Sequence, residues 1–180
     1  MKGVVFVEFI EMIDTSFSIE MSDRLIEMSD LPSGGIYTSV GTYDPKEMVT
    51  LVGNLSSLTQ TPVSDLLKSF GRYLFKRFVE NFPDFFKGIT SSIDFLSQVD
   101  SYVHLEVRKL YQDAELPTFE CTTPEPDLLH MKYESKRNLP DLAEGLILGC
   151  IEHFGESLKI ARKSLPENPL ATLFIISPGN

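Results

Sequence analysis

The fold is decided around a short stretch in the last third of the chain, Tyr133-Glu134-Ser135-Lys136-Arg137. In an extended chain alternate side chains share a face, so this spacing predicts that Tyr133, Ser135 and Arg137 point to the same side. A phenol, a hydroxyl and a guanidinium together can donate hydrogen bonds to a pair of carboxylates, one of them bidentately. Taken alone, the pattern is more typical of a solvated strand face, so the surrounding sequence must decide between the two interpretations.

The sequence on both sides of this stretch predicts an antiparallel sheet. Residues 118–122 and 128–135 alternate between polar and apolar side chains, and the proline-containing segment 124–127 connects them as in a hairpin. Two later segments, 158–161 and 173–176, have the composition of further strands. A helix opening at Pro140 separates the two strand pairs, and Gly145 within it permits close approach by a neighbour, as does Gly149.

The first two thirds of the chain predict helices. Apolar residues between Val4 and Ile13 share a broad helical face. The sequence Asp44-Pro45-Lys46-Glu47 offers an N-cap, a proline at the first helical position and a capping-box glutamate. Thr61-Pro62 repeats this device before the next helix. The predicted fold class is therefore α+β, a mainly helical N-terminal part followed by an antiparallel sheet with an inserted helix.

A further helix over residues 93–111 carries the only histidine for which the pattern indicates a role. Its predicted buried stripe consists of Leu96, Val99, Val103, Val107 and Leu110. His104 lies at the edge of this stripe and should point at or beside the core. By its position alone, a core or boundary histidine with satisfied hydrogen bonds is a better interpretation than a metal ligand. His130 and His153 lack supporting context and receive no role.

Length, charge and composition narrow the class of protein. A chain of 180 residues with 42% hydrophobic residues fits one globular domain with a sizeable core. A formal net charge of −10 argues against binding of nucleic acid through its phosphates. The N-terminal segment is too charged for a signal peptide or membrane span, so we expect a cytoplasmic protein that does not enter a membrane. Cys121 and Cys150 are most simply reduced thiols.

Three features together resemble the H-NOX family of haem-based gas sensors. They are the Tyr-x-Ser-x-Arg motif at Tyr133, Ser135 and Arg137, the helical His104 before it, and Pro117, thirteen residues after His104. The resemblance extends to the Met-Lys-Gly start, to Phe70-Gly71-Arg72 and to the helix of residues 142–149. It implies a single domain over residues 1–180, with a helical subdomain at about 1–60 and a haem-ligating and sheet subdomain at about 61–180.

The same resemblance implies roles for these residues. Haem b would lie between the two parts, with His104 as the axial iron ligand, with Tyr133, Ser135 and Arg137 on the propionates, and with Pro117 pressing on the porphyrin and distorting it. Oxygen-binding members of the family tend to carry a distal tyrosine nine residues after the motif tyrosine. Here that position is Leu142, and the matching polar and aromatic positions are Leu74 and Phe9.

A distal wall without donors should favour nitric oxide and carbon monoxide over stable oxygen binding, because bound dioxygen is stabilised by a hydrogen-bond donor. The expected lining residues are all apolar: Val5, Phe9, Leu74, Phe78, Leu142 and Leu146. The expected signal is weakening of the bond between iron and His104, followed by haem relaxation against Pro117. The family implies a separate effector protein, such as a histidine kinase or a cyclic-di-GMP enzyme.

Other functions remain open at this point. The chain could be an oxygen-binding haem sensor, a haem enzyme such as a peroxidase or oxygenase, or a module that binds another apolar ligand without haem. An enzyme would need an acid-base group on the distal segments, where we find no candidate. We therefore expect a sensor rather than an enzyme.

Overall fold

The computed structural model describes residues 1–179, which form seven α-helices and a four-stranded antiparallel sheet. The α-helices are α1 (Gly3–Ser16), α2 (Ile19–Ser29), α3 (Pro45–Thr59), α4 (Val63–Asn81), α5 (Ser92–Ser97), α6 (His104–Leu110) and α7 (Pro140–His153). The strands are β1 (Thr118–Glu125), β2 (Leu128–Glu134), β3 (Leu158–Ser164) and β4 (Ala171–Pro178). A 3₁₀ turn, Pro83–Phe86, follows α4, and a π-helical turn, Val99–Val103, joins α5 to α6. The predicted α+β class and the order of helices before strands are confirmed.

Two hydrophobic cores meet along α4. The N-terminal core packs α1 to α4 around fully buried side chains such as Phe6, Leu51 and Phe70. The second core fills the space between the sheet and helices α5 and α7, with Met131 and Phe174 among its buried members. Since α4 contributes to both cores, it is the element that joins the helical part to the sheet part.

Close packing of α4 against α7 depends on glycine. A Cβ added to Gly145 would lie 2.3 Å from the Lys68 carbonyl oxygen, and one added to Gly71 would lie 2.5 Å from the Leu142 carbonyl oxygen. Both distances are far below van der Waals contact, so the two backbones approach to a separation that only glycine permits. The predicted close approach at Gly145 and Gly149 is confirmed, with Arg72 and Phe75 facing Gly149.

The sheet has the strand order β1-β2-β4-β3, and β2 is therefore an inner strand. Tyr133 pairs with Phe119 of β1 on one side and with Thr172 of β4 on the other. The inward-facing residues of β2 are Leu129, Met131 and Tyr133, which are all buried. The predicted hairpin is confirmed. Strand β1 extends to Glu125 and β2 begins at Leu128, so the connection between them is shorter than expected.

The predicted capping of two helices is corrected. The Asp44 side chain accepts a hydrogen bond from the Lys46 N–H at 2.9 Å, as an N-cap should, but Glu47 does not complete a capping box. Its buried carboxylate accepts hydrogen bonds from Ser33 and Tyr37 instead, and these anchor the loop before α3. At the next helix Pro62 itself occupies the N-cap position in an extended conformation, so α4 begins one residue later than the pattern suggested.

The single helix predicted over residues 93–111 is wrong. It is divided into α5, the π-helical turn and α6. All five residues of the predicted stripe nevertheless line one cavity, and Leu110 among them is 60% exposed. His104, by contrast, is buried as predicted and occupies the first position of α6.

The extended conformation predicted through Arg137 is also wrong. Strand β2 ends at Glu134, and the chain then turns, with the Asn138 N–H donating to the Ser135 carbonyl at 3.1 Å. Asn138 adopts a left-handed conformation with φ of 47°. Asparagine tolerates this region better than most residues, which explains how the turn forms without glycine.

Candidate functional site

A mainly apolar cavity of about 260 Å³ is lined by residues of α1, α4, α6, α7 and the first two strands. Four polar side chains predicted from the sequence line it, namely those of His104, Tyr133, Ser135 and Arg137. These residues come from separate elements, and the fold brings them to one place. The cavity therefore combines an apolar body with a few polar groups, which is the usual character of a small-molecule site.

His104 enters the cavity from the start of α6. Its side chain is mostly buried, and its ring lies 5.6 Å from the Phe119 ring, centroid to centroid. His104 Nδ1 lies 3.3 Å from Asp100 Oδ1, one turn earlier. Burial lowers the pKa of His104 below its ordinary value, although the Asp100 carboxylate and, more weakly, the Pro117 carbonyl act in the opposite direction. The imidazole is therefore neutral at neutral pH, as a metal-binding histidine must be.

Tyr133, Ser135 and Arg137 converge through the turn that follows β2. The Tyr133 hydroxyl accepts a hydrogen bond from the Leu139 N–H at 3.1 Å, which fixes the ring at the cavity wall. The Ser135 hydroxyl accepts from the Arg137 N–H at 3.2 Å and so stabilises the turn. The motif therefore gathers three donors as predicted, but by turn geometry rather than by strand alternation.

Arg137 is the one residue of this group whose side chain lacks adequate partners. Within residues 1–179 its Nε is the single buried side-chain nitrogen or oxygen without a hydrogen-bond partner. Burial lowers the pKa of Arg137, although arginine remains charged at any physiological pH. A buried, charged and partly unpaired guanidinium in a cavity wall is a site prepared for an anion.

The N-terminus closes the cavity near Arg137. The buried Met1 lines the cavity, and its amino group donates to the Tyr43 carbonyl at 2.6 Å. Burial and the Arg137 charge both lower the pKa of this amino group. Lys2 binds Asp113 at 3.0 Å, and this ion pair ties the N-terminus to the segment that follows α6.

The apolar wall agrees with most of the predicted lining residues. Val5, Leu74, Phe78, Leu142 and Leu146 all line the cavity, and none of these side chains can donate a hydrogen bond. Pro117 lines it as well.

Phe9 does not line the cavity, contrary to the prediction. It is fully buried in the N-terminal core, where its ring packs edge-on against Phe70 with centroids 5.0 Å apart. A residue one turn after Val5 on the same helix is directed into that core, which the apolar pattern alone could not distinguish from the cavity.

Sequence reasoning missed several contributors to the site. Asp100 could have been found from its spacing, because residues four apart in a helix lie on one face. Glu115, 3.8 Å from Arg137, and the Met1 amino group had no such signal, since their proximity depends on the tertiary fold. Several phenylalanines after α4 also line the cavity, among them Phe82, Phe85 and Phe86.

Comparison with known proteins identifies the family. A family model described as haem-NO-binding matches residues 2–162. The chain belongs to the H-NOX family. Solved H-NOX structures resemble it over essentially its whole length, and no curated protein matches it.

Three H-NOX structures illustrate the similarity. The unliganded Fe(II) protein from K. algicida is 36% identical, with a TM-score of 0.92, and the match covers 100% of this chain and 97% of that one. The Shewanella woodyi H-NOX, solved with IWP-051 in the Fe(II)CO state, is 39% identical, with a TM-score of 0.85 and coverage of 99% and 95%. The S. oneidensis H-NOX in the Fe(II)NO state is 25% identical, with a TM-score of 0.91 and full coverage of both chains.

H-NOX membership makes this chain one of a family of haem-binding sensor domains, which are generally not enzymes. Among residues 1–179, none of the helices is both long and apolar enough to cross a membrane. The fold, the cavity and the convergence of the motif residues are all consistent with membership of this family.

Proposed function

We propose that this H-NOX domain is a haem-based sensor that binds nitric oxide and carbon monoxide and excludes stable oxygen binding. The observation that carries the proposal is the placement of the buried His104 and the partly unpaired Arg137 in the wall of the same apolar cavity. Bound haem would supply the iron at which a gas coordinates. The remaining tasks fall to residues of the chain.

The donor set matches the anionic edge of haem. Haem carries two propionates, and the buried Arg137 Nε needs an acceptor that residues 1–179 do not provide. The Tyr133 and Ser135 hydroxyls lie in the same wall and each can donate a hydrogen bond. We assign these three residues to the propionates, because an arginine that binds a carboxylate through two donors combines charge with orientation.

The apolar body of the cavity and His104 match the rest of the group. His104 is the one histidine in the cavity lining, and its neutral imidazole has a lone pair for iron. Neither Cys121 nor Cys150 lines the cavity, which supports haem b held without a covalent link. Pro117 lies close enough to His104 for its carbonyl to influence the imidazole, and we assign it the role of pressing on the porphyrin.

Gas selectivity follows from the wall formed by α1, α4 and α7. Val5, Leu74 and Leu142 have no group that could donate to bound dioxygen, which needs a donor more than nitric oxide does. They also offer no acid or base that could manage protons in peroxidase or oxygenase chemistry. The S. oneidensis and S. woodyi relatives were solved with nitric oxide and with carbon monoxide respectively, which supports the same ligands here.

Signalling is assigned to His104 and α6. His104 begins α6, so a change in its attachment to the iron is transmitted directly to this helix. We infer that nitric oxide would weaken the bond between the iron and His104. Helix α6 would then be free to move, and the haem would relax against Pro117. Such a switch works only because the ligand favours one arrangement over the other. A separate signalling protein, such as a histidine kinase or a cyclic-di-GMP enzyme, would receive the change. In this account residues from about 61 onward hold the haem, and those up to about 60 form the helical subdomain.

Replacement of His104 by Gly tests the proposal. The variant should lose haem unless free imidazole is added, and the imidazole-rescued protein should no longer change its hydrogen exchange in α6 when nitric oxide binds. His130→Gly, which removes a histidine outside the cavity lining, is the matched control and should behave as the wild type. An unchanged α6 response in rescued His104→Gly would refute the release model, and failure of the wild type to bind haem would refute the proposed function.

A further inference from the structure

The π-helical turn before α6 carries a carboxylate that faces the His104 ring. We propose that Asp100 is a positioning residue, which holds His104 in the ring orientation and tautomer that present Nε2 to the iron. This inference rests on the proposed function and adds a residue to it that neither the motif nor the family match assigns.

Two contacts fix the Asp100 carboxylate. Oδ1 lies 3.3 Å from His104 Nδ1 and 3.4 Å from the Phe119 backbone nitrogen, which donates to it. Phe119 belongs to β1, so the carboxylate is held from the sheet as well as from its own helix. An acceptor anchored at two points is better suited to orient a ring than a freely rotating side chain is.

The π-helical turn is what places this carboxylate. The His104 N–H donates to the Val99 carbonyl, and the Val103 N–H donates to the Gln98 carbonyl at 3.4 Å, each to a residue five positions earlier, so the backbone widens locally. Asp100 lies within this turn, four residues before His104. Single π-turns are rare and are enriched at functional sites, which fits a turn retained to place a particular side chain.

The chemical consequence concerns which ring nitrogen carries the proton. When Nδ1–H donates to Asp100, Nε2 keeps its lone pair and is free to bind a metal. A carboxylate acceptor also raises the basicity of the ligand nitrogen and therefore strengthens its bond to the metal. Asp100 would thus set how firmly His104 is attached, and in turn how readily a gas on the opposite side releases it.

Two features limit the effect that we expect when Asp100 is replaced. The Asp100 side chain is 38% exposed, so solvent screens part of its charge. The Pro117 carbonyl also acts on the His104 imidazole and, like the Asp100 carboxylate, raises its pKa, though more weakly. Replacement of Asp100 should therefore weaken the attachment of His104 rather than abolish it.

Asp100→Asn is the decisive variant, because it keeps the shape of the side chain and removes the charge. Glu106→Gln is the matched control, since Glu106 lies on the same helix as His104 but is paired with Lys109 and not with the ring. The measurements are the iron–histidine stretching band of the reduced protein by resonance Raman spectroscopy and the rate at which haem is lost to an excess of apomyoglobin.

We expect Asp100→Asn to shift the stretching band to lower frequency and to accelerate haem loss by about tenfold, the lower end of the effect usual for the partner of a metal-bound histidine. Glu106→Gln should change neither value. Asp100→Glu, which restores a carboxylate, should recover part of the shift, and it serves as the second variant if Asp100→Asn folds poorly. A merely structural role would lower the melting temperature without moving the band, and that result would overturn the inference.

The two proposals fail in different ways. If the wild type shows an iron–histidine band that Asp100→Asn leaves unchanged, Asp100 does not position His104, and the proposed function stands. If the wild type binds no haem, the proposed function itself is wrong, and this inference with it.

Discussion

Arg137 Nη2 lies 3.8 Å from Glu115 Oε2, and this long ion pair is the main compensation for a guanidinium that is largely buried. Glu115 is itself 81% exposed, so water screens its charge and the pair contributes little. The protein thus keeps a buried cation at a cost in stability, in a position where a bound anion would offset that cost.

Replacement of Arg137 by Gln should separate ligand binding from stability. We expect haem affinity to fall by about 10- to 100-fold, because a hydrogen bond to a charged group contributes roughly 1.5–3 kcal/mol. The melting temperature of the haem-free protein should not fall, since a poorly paired buried charge has been removed. Haem titration and thermal melts of the apoprotein measure the two effects.

Arg72→Gln is the control for that experiment. Arg72 pairs with Glu152 at the surface and should affect haem affinity little. Equal losses of haem affinity in the two variants would argue against a specific anion site at Arg137.

Leu142→Tyr should allow the reduced protein to bind oxygen stably. The phenol places a donor in a cavity wall that has none on this side, so the reduced variant should hold oxygen in air where the wild type does not. Leu142→Phe adds the same ring without the hydroxyl and should behave as the wild type. Oxygen dissociation rates measured by stopped-flow absorption test the difference, and an oxygen complex equally stable in wild type and both variants would contradict our account of the wall.

Gly145→Ala should destabilise the junction between α4 and α7. The added methyl would lie 2.3 Å from the Lys68 carbonyl oxygen, and the helices would have to separate to admit it. We expect a loss of about 1–3 kcal/mol in the free energy of unfolding, as is usual for overpacking.

Gly53→Ala is the matched control for Gly145→Ala. An added Cβ at Gly53, within α3, meets nothing within 4 Å, so alanine should be neutral or should stabilise by about 0.5–1 kcal/mol. Urea denaturation of both variants gives the comparison, and a stable Gly145→Ala protein would show that the helices can move apart without cost.

Glu47→Ala should weaken the loop before α3. The buried carboxylate accepts hydrogen bonds from Ser33 and Tyr37, and burial together with Glu47 raises the pKa of Tyr37 to about 12. Loss of the acceptor leaves two hydroxyls unsatisfied, and we expect a cost of about 1–3 kcal/mol. Glu11→Ala, at an exposed position of α1, should change the free energy of unfolding by less than about 0.5 kcal/mol. Equal effects of the two substitutions would contradict the role given to Glu47.

The fold class followed from local patterns, and the exceptions are instructive. Proline, cap and glycine signals correctly predicted the helices that begin at Pro45 and Pro140, because these signals act within a few residues of chain. The π-helical turn before His104 has no comparable local signal, and it interrupts a segment whose apolar pattern matched a regular helix.

The part of the candidate site that could be predicted is the part that belongs to one short sequence motif. Tyr133, Ser135 and Arg137 were found from their spacing and from the family resemblance, although the turn that gathers them was not. Asp100 was within reach of the same reasoning. Phe9 faces Phe70 rather than the cavity because of the way α1 packs on α4. This packing could not be predicted from the sequence pattern.

The most direct test of the central claim is the absorption spectrum of the purified, reduced protein in air and after addition of nitric oxide. We predict a haem spectrum that air leaves unchanged and nitric oxide shifts, because the cavity offers His104 to the iron and its wall of Val5, Leu74 and Leu142 offers no donor to dioxygen. Absence of haem after reconstitution would contradict the assignment of the cavity, and a stable oxygen complex in air would contradict the proposed selectivity.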